Sequence, residues 1–125
     1  MTSNLTITIA AIFGALAIIL GAFGAHALKK HFTEALMQSF ETGVKYQMYH
    51  AIVLLLLGFQ LPLDTTLQHA IVWSFIIGIM LFSFSIYGLC ISSAKGNKIK
   101  ILGPITPLGG LCLLTGWILL AINFI

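Results

Sequence analysis

Apolar residues fall into four long runs along this chain, and the short stretches between them hold most of its charge. The first run, residues 5–28, carries no charged residue and no proline. At 1.5 Å per residue it makes about 36 Å of helix, enough to cross a ~30 Å hydrocarbon layer with some tilt. The third run, 67–94, is equally free of charge, and Ser74, Ser83, Ser85 and Tyr87 are among its polar members. The fourth, 105–125, is introduced by Pro104 and Pro107, which suit the start of a helix. The second run is different. Its uninterrupted apolar part, 51–59, is too short to span a bilayer. A crossing has to begin near Val44, over 44–61, and that draws Lys45, Tyr46, Gln47, Tyr49 and His50 into the helix. Lysine and tyrosine tolerate the membrane interface, but His50 lies beyond it.

Between the first two runs, Lys29 to Gly43 is the only extended polar stretch. Phe32, Leu36 and Phe40 recur every fourth residue, with Glu34, Gln38 and Glu41 on the other side and Thr33 placed as an N-cap. The pattern predicts a short amphipathic helix on the membrane surface that parts from the second span at Gly43. A helical extension of that span is the alternative. The turn at Pro62–Thr66 makes the second and third helices antiparallel neighbours. The expected fold is therefore an all-α membrane protein, a single domain over 1–125. Four transmembrane helices (5–28, 44–61, 67–94 and 105–125) form an antiparallel bundle, with the amphipathic helix between the first and second.

Composition agrees. Apolar types make up 59% of the 125 residues and charged types 7%, against roughly a quarter in soluble domains. A water-soluble exterior cannot be built from so few polar residues, so the bilayer is the expected partner. The net charge of +3 comes from six lysines and three acids, with no arginine. There is no basic stripe of the kind nucleic acid requires, and nucleic acid is excluded as a partner. The lysines matter by position. Lys29, Lys30 and Lys45 flank the first loop and Lys95, Lys98 and Lys100 fill the third, while the termini and second loop hold none. The positive-inside rule then makes this a multi-pass inner-membrane protein with both termini on the non-cytoplasmic side. Ala25-His26-Ala27 imitates a signal-peptide cleavage site, but the preceding residues carry no cation and the run is too long, so a retained helix is expected.

Small residues mark where helices approach closely. Ala17, Gly21 and Ala25 repeat every fourth residue, as do Ala10 and Gly14, and Gly109 and Gly110 open the fourth helix. Such a face is expected to serve packing within the chain first, since a bundle must pack before it associates, with a homo-oligomer or a membrane-protein partner as the alternative. Cys90 and Cys112 lie in apolar runs without metal-ligand spacing and are read as small apolar residues.

The polar residues at membrane depth ask for a reason. Tyr46 and His50 lie one turn apart, Glu41 and Lys45 another, and His26 closes the first span. With both spans reaching the same face, His26, Glu41, Lys45, Tyr46 and His50 form a candidate polar cluster. A difference of roughly 6 Å in depth between the histidines invites their approach, with Tyr46 as a bridge. No hydrolase, phosphate-binding, zinc-protease or dinucleotide motif accompanies them, so no catalytic residue, metal or cofactor is assigned. Haem would need two facing histidines, and no CxxCH is present.

Gly21–His26 (GAFGAH), Glu41–His50 (ETGVKYQMYH), Pro107–Gly110 (PLGG) and Gly116-Trp117 resemble the domain of unknown function 423 family in order and spacing. Gly43 departs from that pattern, where alanine is the more usual residue. The resemblance covers nearly the whole chain and implies a small bacterial inner-membrane protein of four helices, similar to a mitochondrial transmembrane branch. It carries over no catalytic residue. Three functional readings follow. The first is a non-enzymatic structural or accessory module, the second a transport or ion-handling protein with the His/Tyr belt facing the cytoplasm. The third is a cofactor-binding membrane enzyme.

Overall fold

The computed structural model describes all 125 residues and is helical throughout. Four helices run in chain order: α1 Ser3–Leu28, α2 Glu34–Gln60, α3 Thr66–Ala94 and α4 Leu102–Asn123. Threonines start three of them. The side chains of Thr2, Thr33 and Thr65 accept from the amides of Leu5, Leu36 and Gln68, satisfying donors that the first helical turn leaves free. Helix α4 has no side-chain cap.

Contacts fix the direction of each neighbour. Gly58 near the end of α2 lies against Ser3 and Ile7 at the start of α1, and Gly21 faces Val44, so these two helices are antiparallel. The Leu36 carbonyl meets Cys90, and the Gly43 carbonyl meets Ser83, which sets α3 antiparallel to α2. Gly78 against Leu113 and Gly88 against Leu102 do the same for α3 and α4. Helices α2 and α3 occupy the middle, α1 flanks α2, and α4 flanks α3. One apolar core, containing Phe13, Leu54, Ile71, Phe75, Ile79 and Leu113, joins all four helices. A smaller one gathers Phe40, Ile86, Tyr87 and Cys90 toward the end that bears most of the lysines.

Helices α1, α3 and α4 are long and apolar enough to cross a membrane. Helix α2 has the length, but its N-terminal half is too polar to qualify by composition. Two further features distort the rods. Ile19–Gly24 in α1 and Met80–Phe84 in α3 are π-helical. Such wide turns are frequent at functional sites.

The separate surface helix is corrected. Residues 34–60 form one continuous helix, and Gly43 is buried within it without breaking it. Phe40 is fully buried, its ring 5.2 Å from that of Tyr87 and 5.7 Å from Phe32. Leu36 packs on the same cluster. An apolar stripe every fourth residue records that one face is covered, not what covers it. Here the cover is protein. Gly43 is small because Tyr87 and Ile86 press on it; a β-carbon there would come within 2.9 Å of the tyrosine ring.

Candidate functional site

Because α2 begins at Glu34 rather than near Val44, each of its residues lies deeper along the rod than the four-run reading supposed. Gly24 of α1 is level with Phe40. His50 lies about 15 Å further along α2 at 1.5 Å per residue. His26, two residues past Gly24 in the other direction, is exposed on the last turn of α1, whereas His50 is buried. No hydrogen bond joins them, and the expected approach of the two histidines does not occur. Glu41, Lys45 and Tyr46 lie on the exposed side of α2. Of the five cluster residues, only Tyr46 and His50 are brought together, with ring centroids 6.2 Å apart.

The His50 ring is committed on both nitrogens. Nδ1 lies 2.7 Å from the Tyr46 carbonyl, one turn back, and Trp117 Nε1 donates to His50 Nε2 at 3.1 Å. An indole nitrogen can only donate. Nε2 must therefore be the bare acceptor, and Nδ1 carries the proton that it gives to the carbonyl. The ring is a neutral imidazole of fixed tautomer, and Phe75 contacts it at 5.6 Å. Tyr46 contributes its backbone, while its ring stacks near Phe82 at 4.9 Å. We expect nitrogen-15 spectra of histidine-labelled protein to show one ring, absent in His50→Asn, protonated at Nδ1 and bare at Nε2. Trp117→Phe should leave the proton on Nδ1, held by the Tyr46 carbonyl, and shift only the Nε2 resonance as that nitrogen loses its donor. A proton on Nε2 in the unmodified protein would contradict this geometry.

A second polar group lies on the inner face of α2. Gln47 is fully buried and links three helices. Its Nε2 donates to the Phe13 carbonyl of α1 at 2.8 Å, and its Oε1 accepts from the Tyr87 hydroxyl of α3 at 2.7 Å. Nearby, Ser83 Oγ donates to the Gly43 carbonyl at 2.7 Å. Ser85 and Thr106 share a 2.6 Å hydrogen bond between α3 and α4. No buried side-chain nitrogen or oxygen is left without a partner. Gln47, Tyr87 and Trp117 were not among the expected site residues. The signal for Gln47 was its register: it falls on the stripe of Phe40, Gly43 and Leu54, all buried.

The small residues divide in the same way. Ala17 is buried, Ala25 packs beside the Phe40 cluster, and Gly21 admits Val44 at 3.1 Å from where a β-carbon would stand. Gly109 lies directly on the backbone of Leu81 and Phe82, within the π-helical turn of α3. Gly110 has only ordinary contact with the Phe82 ring, and Gly14 faces open space. No three His, Cys, Asp or Glu side chains converge as a metal site would require.

Polar side chains here turn inward onto one another, while Phe23, Phe59, Leu111 and Ile118 face outward and exposed. With three helices able to cross a bilayer, that inversion defines an integral membrane protein of the α-helical class. The chain belongs to the family described as protein of unknown function (DUF423), whose model matches residues 20–110. It is 38% identical over 118 residues to the UPF0382 membrane protein YwdK of Bacillus subtilis, covering 93% of this chain and 92% of the relative. A UPF0382 membrane protein of Haemophilus influenzae is 38% identical over 119 residues, covering 94% and 91%. One of Schizosaccharomyces pombe is 37% identical over 113 residues, covering 87% and 92%. No solved structure matches the chain.

Proposed function

We infer that the protein is a non-enzymatic, four-span module of the inner membrane whose intramembrane polar residues fasten its helices together. The observation that carries this is the complete internal pairing of the buried polar side chains. Gln47 spends both ends of its amide on neighbouring helices, and His50 spends both ring nitrogens on Trp117 and its own helix. At the depth of Gln47 and His50, groups reserved for a substrate or ion would face an open cavity unpaired. The ion-handling alternative draws no support from a His50 ring already committed twice.

Four spans are supported by the position of α2. It runs between α1 and α3 with contacts from Leu36 to Gly58, about 33 Å of helix. If its two neighbours cross the bilayer, α2 crosses with them. Its polar N-terminal half is accommodated because Gln47 and His50 point into protein and Lys45 lies closer to the interface. The antiparallel order brings Lys29, Lys30, Lys95, Lys98 and Lys100 to one end and both termini to the other. The positive-inside rule makes the lysine end cytoplasmic.

Single cysteines at Ser3, Asn123 and Lys98, in a chain with Cys90 and Cys112 replaced by alanine, test the arrangement in intact cells. Positions 3 and 123 should react with an impermeant maleimide, and position 98 only after the membrane is opened. Protection at 3 or 123, or ready labelling at 98, would overturn it.

A further inference from the structure

Helices α2 and α4 are not packed against one another as neighbours. Trp117 and His50 bridge them at one level. Toward the lysine end they leave a groove of about 470 Å³, within the size range of small-ligand sites. Ile86, Leu89 and Cys90 of α3 are among its apolar lining. Ser39 and Thr42 of α2, Ser93 of α3 and Thr106 of α4 supply hydroxyls, and Lys98 supplies the one charge; no carboxylate lines it. Thr42 and Thr106 spend their hydroxyls on backbone carbonyls, but the side-chain hydroxyls of Ser39 and Ser93 pair with no other group of the protein.

We propose that this groove binds the headgroup of an anionic glycerophospholipid, phosphate against Lys98 and the serine hydroxyls, with an acyl chain leaving along the apolar lining. Charge complementarity selects the occupant. The loop of residues 95–101 holds Lys95, Lys98 and Lys100 and no acid, and Glu34 and Glu41 of α2 lie outside the groove. Basic pockets between transmembrane helices at the cytoplasmic face suit anionic headgroups. The first turn of α4, uncapped by any side chain, borders the groove at Gly103 and adds a positive helix end. A soluble anion would use the lysine and hydroxyls but leave the apolar lining idle. A zwitterionic lipid would use the lining but bring its own cation to Lys98.

The site rests on the four-span reading, which sets this end at the membrane interface. The full chain, purified in detergent, is titrated with phosphatidylglycerol or phosphatidylcholine and read by native mass spectrometry. Phosphatidylglycerol should bind at least about tenfold more tightly, one per chain. Lys98→Gln should weaken it about fivefold, the worth of one lysine beside an anionic headgroup. Gly103→Leu should abolish the preference by filling the groove, since a β-carbon at Gly103 meets nothing within 4 Å and the fold is spared. Lys30→Gln, at the same end but outside the groove, should stay within about twofold. Equal retention of both lipids, or equal losses from Lys30→Gln and Lys98→Gln, would overturn the proposal. So would glycerol phosphate competing as well as the lipid, which would make the ligand a soluble anion. Lost lipid preference with the cysteine-labelling pattern intact rejects the groove alone, whereas altered labelling rejects the span assignment.

Discussion

Gly109→Ala is expected to destabilise the protein by about 3 kcal/mol, the upper end of the ordinary cost of overpacking. A β-carbon at this position would overlap the Leu81 carbonyl carbon and the Phe82 amide nitrogen. These are backbone atoms in the π-helical turn of α3, and they cannot swing aside as a side chain would. Helix α4 would have to withdraw from α3, loosening Gly78 from Leu113 and Gly116 from Phe75. The matched control is Gly14→Ala. Nothing lies within 4 Å of the added carbon, so the change should be neutral or stabilise by up to about 1 kcal/mol through helix propensity. Denaturation in mixed micelles, followed by tryptophan fluorescence, gives both values. Equal stabilities for the two variants would refute the close α3–α4 contact.

Gln47→Leu is expected to cost about 2 kcal/mol although leucine is the more apolar residue. The substitution removes the acceptor of the Tyr87 hydroxyl and the donor to the Phe13 carbonyl at a fully buried position. A buried donor left unpaired costs roughly 1–3 kcal/mol, whereas single interhelical hydrogen bonds in membrane proteins average nearer 0.6. The larger figure applies because one side chain closes two helix junctions at once. Tyr87→Phe should cost about 1 kcal/mol, and the double variant should lose at least about 0.5 kcal/mol less than the sum of the singles. Additive losses would mean that the two residues do not share a bond. Substitutions at Glu41 and Lys45, on the exposed side of the same helix, are expected to change little.

These residues also separate what could be read from the chain from what could not. Length, charge depletion and uninterrupted apolar runs made the all-helical membrane class legible, because lipid forces backbone groups to pair within each segment. The family was legible from the order of its glycine, histidine and tyrosine motifs. The cap at Thr33 was legible because capping is local, depending on one hydroxyl three residues before the amide it serves.

What was not legible depended on which surface met which. Phe32, Leu36 and Phe40 have the spacing of a face on lipid, yet that face is covered by Tyr87 and its neighbours. Gly43 has the look of a helix break but is a place for α3 to press. His50 was conspicuous by the cost of its burial, but its partner is Trp117, sixty-seven residues away, rather than His26. Helical periodicity states that a residue lies on a face, and desolvation states that a buried polar group needs a partner. Neither names the partner. By itself the sequence determined that the chain is a helical membrane protein and which residues are costly to bury. Only the packing of α2 between α1 and α3 decided how those costs are met, because hydrogen bonds between helices depend on relative depth and rotation that no single segment encodes.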